Sequence, residues 1–165
     1  MAKDFSFDVV SDVDLNVLGE TVNVAMREIS NRFDFKGTGV DISFDKAEKV
    51  IIFLADSDFQ AEQLRDILIS KISKRGISPK VLTFKKQEKA SGDKIRNIEN
   101  LVCGIEQYLA KEMVKDIKGF TKKVQVSIQS DKLRVSGREK DTLQEVMNFI
   151  KEKNYAIPLQ FENYR

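Results

Sequence analysis

Lys80, Lys85, Lys86, Lys89, Lys94 and Arg96 crowd one short stretch of the chain, with Lys74 and Arg75 just before it. Residues 71–96 hold 9 Lys/Arg against 2 Asp/Glu, whereas residues 1–70 hold 7 against 14 and residues 97–165 hold 12 against 10. The net charge of +2 therefore conceals a basic segment beside an acidic one. Clustered ammonium and guanidinium groups neutralise phosphate and give salt-sensitive binding. Two structural readings stand beside that one. Lysines on an edge strand discourage strand-to-strand aggregation, and Lys71, Lys74 and Arg75 suit the carbonyl end of a helix.

Bond-making chemistry finds less support. The 165 residues include no histidine, which excludes Ser-His and Cys-His pairs, imidazole proton transfer and His-ligated metals. The single cysteine, Cys103, cannot form an internal disulfide or a thiolate zinc site. Its neighbours Leu101, Val102, Gly104 and Ile105 predict a buried, inert thiol. No GxxxxGK[ST] phosphate loop is present. The acidic pairs Asp12/Asp14 and Asp56/Asp58 have the chemistry to hold Mg²⁺, but each precedes a helical pattern, where carboxylates cap. No catalytic residue, cofactor or metal site is expected.

The elements that must position the basic segment come in two matching sets. Val40-Asp-Ile-Ser-Phe, Lys49-Val-Ile-Ile-Phe-Leu and a helix carrying Leu64, Ile67 and Leu68 form the first. Val124-Gln-Val-Ser-Ile, Leu133-Arg-Val-Ser-Gly and a helix carrying Leu143, Val146 and Met147 form the second. A charged turn joins the two strands of each pair, as a hairpin requires. An amphipathic helix precedes each hairpin, with Leu15, Leu18, Val22, Met26, Ile29 and Phe33 in one and Ile105, Leu109, Met113 and Ile117 in the other. Asp14 is placed to cap the first and Gly119 to end the second. Strands at 5–10, 81–86, 94–102 and 157–164 complete βαββαβ twice.

This is an α+β chain with two ferredoxin-like (RNP-like) domains arising by internal duplication. The short turn at Ala90-Ser91-Gly92 makes the strands before and after it antiparallel neighbours. In a βαββαβ sheet the first and last strands are neighbours, so the strand at 93–102 takes the first-strand place of the N-terminal unit. The strand at 5–11 then completes the C-terminal unit. The expected domains are 13–102, and 1–12 plus 103–165, with exchanged N-terminal strands.

On the C-terminal sheet, alternation turns Val124, Val126, Ile128, Leu133 and Val135 inward. Gln125, Ser127, Gln129, Arg134 and Ser136 turn outward, joined by Gln160, as a solvated polar face or a nucleotide-reading one. The strand from Val50 to Ala55 is apolar on both faces. Phe53, or Phe84, offers a stacking platform there; the other reading buries that second face against the other domain or a second subunit. Candidate binding residues are Lys80, Lys85, Lys86, Lys94, Arg96, Phe53, Arg134 and Gln129.

The segments FDVVSDVDL (7–15), NRFDFKG (31–37), SDFQAEQLRDIL (57–68), KRGI (74–77), KVQVSIQSDKLRVSGREKDTLQEVM (123–147) and PLQFENYR (158–165) resemble the YajQ family of bacterial proteins. The resemblance spans essentially the whole chain. It implies a duplicated RNP-like domain with exchanged strands and a nucleotide-binding role, reported members binding GTP and tRNA, or cyclic di-guanylate in regulation. It supplies no catalytic residues.

The expectation is a non-enzymatic binder of a nucleotide, cyclic di-guanylate or RNA such as tRNA, with a protein partner conceivable. The alternative is a protein–protein interaction module whose nucleotide binding is incidental. No run approaches the ~20 apolar residues of a membrane span, and the Met-Ala-Lys-Asp start lacks a signal-peptide run. A cytoplasmic location with no membrane partner is expected.

Overall fold

The computed structural model describes residues 4–165, so the first three residues of the start discussed above lie outside it. Among the described residues the order is β1 (Phe5–Val10), α1 (Leu15–Asn31), β2 (Asp41–Asp45), β3 (Val50–Ala55), α2 (Asp58–Lys74), β4 (Leu82–Ala90), β5 (Lys94–Leu101), α3 (Gln107–Phe120), β6 (Val124–Gln129), β7 (Lys132–Gly137), α4 (Lys140–Lys153) and β8 (Gln160–Glu162). Short 3-10 turns at Phe33–Phe35 and Pro79–Val81 follow α1 and α2. No helix among them is long and apolar enough to cross a membrane.

The chain divides into two compact units, Val13–Val102, and Met1–Asp12 with Cys103–Arg165. The first holds the sheet β2-β3-β5-β4 and the second the sheet β6-β7-β1-β8, with every pairing antiparallel. Each sheet is therefore ferredoxin-like in order, and the central first-strand place is filled by exchange. β5 supplies it to the unit of α1 and α2, and β1 to the unit of α3 and α4. The driving force is visible in β1, where Phe7 and Val9 are fully buried among Met113, Ile117, Leu133, Val135 and Leu143. Burying such side chains contributes roughly 1.5–3 kcal/mol each.

The helices form where the sequence supports them locally. The Asp14 carboxylate accepts hydrogen bonds from the Asn16 and Val17 N–H groups, satisfying amides that α1 leaves without partners. The Ser57 hydroxyl does the same for Gln60 at the start of α2. Leu18, Val22, Ala25 and Ile29 of α1 pack with Leu64, Leu68 and Ile72 of α2 over the sheet. One expectation fails in detail: α3 runs through Gly119 to Phe120 and is closed by the extended Thr121, so the glycine does not end it.

The two faces of β3 are now distinguished. Ile51, Phe53 and Ala55 lie in the core with α1 and α2, while Ile52 and Leu54 on the opposite face are only half-buried. Phe53, 1 % exposed, has no ring face for a base. That corrects the stacking role considered for it, and the reason is burial beneath the helices.

Candidate functional site

β4 and β5 form the hairpin that carries most of the basic segment. The chain turns through Gly92 at φ 75° and Asp93 at φ 59°, a backbone region that glycine and aspartate tolerate. The register runs Phe84↔Glu99, Lys86↔Ile98, Gln87↔Asn97, Glu88↔Arg96 and Ala90↔Lys94. Lys85 is the extra residue of a β-bulge on this edge strand, so two residues face one on β5.

The cations do not act alike. Glu88 pairs with Lys86 at 2.9 Å and with Arg96 at 3.4 Å across the hairpin. The Lys86 ammonium, followed by Arg96, holds its carboxyl below the usual range. Lys94 is a tether: its Nζ lies 2.6 Å from the Asp56 carboxylate and 2.5 Å from the Thr38 carbonyl oxygen. Lys80 stands apart in the 3-10 turn, half-buried beyond the helix end. Lys85 and Lys89 are exposed on the edge strand, and no carboxylate among the described residues lies within ion-pair distance of either.

On the helix side of the same hairpin is a cavity of about 340 Å³. Phe84, 61 % exposed, forms one wall. Arg65 of α2 forms another, and its Nε–H donates to both oxygens of the buried Glu99 carboxylate, at 3.0 and 2.8 Å. That bond fixes the guanidinium while its two terminal amino groups have no protein acceptor among the described residues. Asn97, Asp58 and Glu62 line the rest, and Phe53 contributes only to its floor. The Gln87 side-chain amide donates to Asp58 at 2.6 Å and to Asn97 at 2.8 Å, closing one side.

The sheet of the other unit carries a different polar cluster. Asp8 of β1 is 1 % exposed. Arg134 donates to it through Nε (2.9 Å) and an amino group (3.3 Å), joined by the Asn163 amide at 2.9 Å and Lys132 at 3.4 Å. Arg134 above all, with Asn163 and Lys132, holds the Asp8 carboxyl well below the usual carboxylate range, against the opposing pull of burial. Arg134 is thus committed to an internal carboxylate. Gln129 lies at the far end of β6–β7, where its amide reaches Ser127 at 3.5 Å. Gln160 is held locally as well, its Oε1 accepting from the Asp12 N–H at 2.9 Å.

The structure therefore brings Lys85, Lys86 and Arg96 together on one hairpin and sets Lys80, Arg134 and Gln129 elsewhere. Of the acidic pairs, Asp14 caps α1 as expected, whereas Asp12 is exposed and the α2 cap is Ser57, with Asp56 holding Lys94 and Asp58 accepting from Gln87. Cys103 is exposed, correcting the buried thiol expected from its neighbours. The loop after β5 turns at Gly104 (φ 83°), and it is Ile105 that enters the core. Sequence reasoning also passed over Arg65 and Glu99. They are 34 residues apart, and an i,i+3 or i,i+4 pattern cannot announce such a pair.

The sequence model described as "Nucleotide-binding protein YajQ-like" matches residues 5–165. The chain belongs to the YajQ family. A "Nucleotide-binding protein" of Desulforamulus reducens is 46 % identical over 165 residues, covering 100 % of this chain and 99 % of that protein. Its counterparts from Carboxydothermus hydrogenoformans and Enterococcus faecalis are 44 % and 40 % identical, covering 100 % and 99 % of both chains respectively. YajQ relatives thus match this chain over both units, exchanged strands included.

Proposed function

We propose that this chain is a non-enzymatic nucleotide-binding protein of the YajQ family, engaging the phosphates of a nucleotide or RNA along the β4–β5 hairpin. The observation that carries this reading is the pair Lys85 and Lys89, two exposed ammonium groups on an edge strand with no carboxylate partner among the described residues. The hairpin's other cations are already paired internally, so these two have the most charge to offer phosphate. The relatives' names, nucleotide-binding protein, point the same way. A catalytic role has no support in the acidic segment Ser11-Asp-Val-Asp-Leu15, which offers repulsion where a phosphate cradle would need amides.

Labelled tRNA, GTP and cyclic di-guanylate titrated at two salt concentrations test the proposal. Saturable binding is expected. For tRNA, Lys85→Ala with Lys89→Ala should lower the salt slope by about 2, one for each lost phosphate contact. Lys94→Ala should change the slope less, because that ammonium already holds Asp56 and Thr38. Wild-type behaviour in the Lys85/Lys89 variant overturns the assignment. Absence of all binding favours the interaction module, for which Phe33, 89 % exposed on its 3-10 turn, is the most exposed aromatic among the described residues.

A further inference from the structure

The cavity between α2 and the β4–β5 hairpin has three features that together describe a seat for a flat, polar-edged ring. An aromatic wall is exposed at Phe84. A guanidinium is immobilised at Arg65 by a carboxylate that is itself 4 % exposed, leaving two amino groups without a protein acceptor among the described residues. Carboxylates at Asp58 and Glu62 lie on the same lining. Counting Glu99, the acidic groups outnumber Arg65, so the cavity disfavours a phosphate inside it. A neutral ring with acceptors on one edge and N–H donors on another is suited to it instead. Lys89 follows Gln87 by two residues on the same face of β4, which puts an exposed cation on the cavity's side of the strand for an anionic substituent outside it.

We propose that this cavity seats the base of a nucleotide. The ring stacks on Phe84, Arg65 donates to its acceptor edge, Glu62 and Asp58 accept from its N–H groups, and Lys89 meets the phosphate outside. This rests on the phosphate-binding reading of the hairpin and adds to it the place and chemistry of the base. Glu99 acts through Arg65 as a positioning residue.

Binding of AMP, GMP and ribose 5-phosphate to the full-length protein tests it, because ribose 5-phosphate keeps the sugar and phosphate without the base. Each nucleotide should bind at least about 5-fold more tightly than ribose 5-phosphate, the lower end of what one stacked base contributes. Phe84→Ala and Arg65→Lys should each remove that margin while leaving ribose 5-phosphate binding as in wild type, which also shows that both variants fold. Equal binding of nucleotide and sugar phosphate overturns the proposal, as does a margin that either variant leaves intact. In both cases the hairpin's role in phosphate binding survives. Failure of ribose 5-phosphate and both nucleotides to bind overturns the two readings together.

Discussion

Asp8 shows how a single side chain can be legible in the pattern yet obscure in its role. Its place in Phe5-Ser-Phe-Asp-Val-Val turns it away from the face occupied by Phe7 and Val9. Nothing local says that Arg134, 126 residues away, will meet it. The folded-state pKa is depressed, so Asp8 contributes stability above its unfolded pKa of ~3.9, and that contribution is lost as pH falls through and below that value. Asp8→Asn should therefore lower stability at neutral pH, on the order of 2 kcal/mol. The gap to wild type should narrow below about pH 4. Urea unfolding across pH 2–7 measures this, and a pH-independent gap would assign the loss to something other than the charge.

At the scale of elements, strand exchange has a direct consequence. Val13–Val102 contains all four strands of its sheet, including β5 at the centre. Cys103–Arg165 lacks β1, and with it Phe7 and Val9, each fully buried. A fragment of residues 13–102 should unfold cooperatively on its own by circular dichroism. A fragment of residues 103–165 should be unstructured until a peptide spanning β1 is added. Independent folding of 103–165 would contradict the sheet order. This exchange could be read from the sequence because the turn at residues 91–93 is too short for anything but an antiparallel pair. Of the inward set, Val124, Leu133 and Val135 land in the core, while Val126 and Ile128 are half-buried against it. The orientation of β3 was not readable in this way, because a strand that is apolar on both faces carries no period-2 signal to say which face meets the helices. Phe53 was assigned to the wrong side of that ambiguity, and Phe84 at the bulged edge is the ring that stays exposed.

For the whole molecule, charge is arranged by segment, and folding refines what the segment can do. The excess of cations at residues 71–96 was plain in the sequence. The partition of those cations was not, because it depends on distant carboxylates: Asp56 takes Lys94, and Glu88 takes Lys86 and Arg96. Lys85 and Lys89 are left without a carboxylate partner among the described residues, and the Arg65–Glu99 pair of the cavity exists only once α2 lies on β5. The YajQ family match spans both units, and the proposed site lies within the Val13–Val102 unit. The most direct test of the account is to record backbone amide shifts of ¹⁵N-labelled full-length protein as GMP is added. Shifts centred on residues 84–99 of the hairpin and 58–65 of α2 are the predicted result. Shifts confined to the Asp8–Arg134 sheet, or none at millimolar nucleotide, would contradict it.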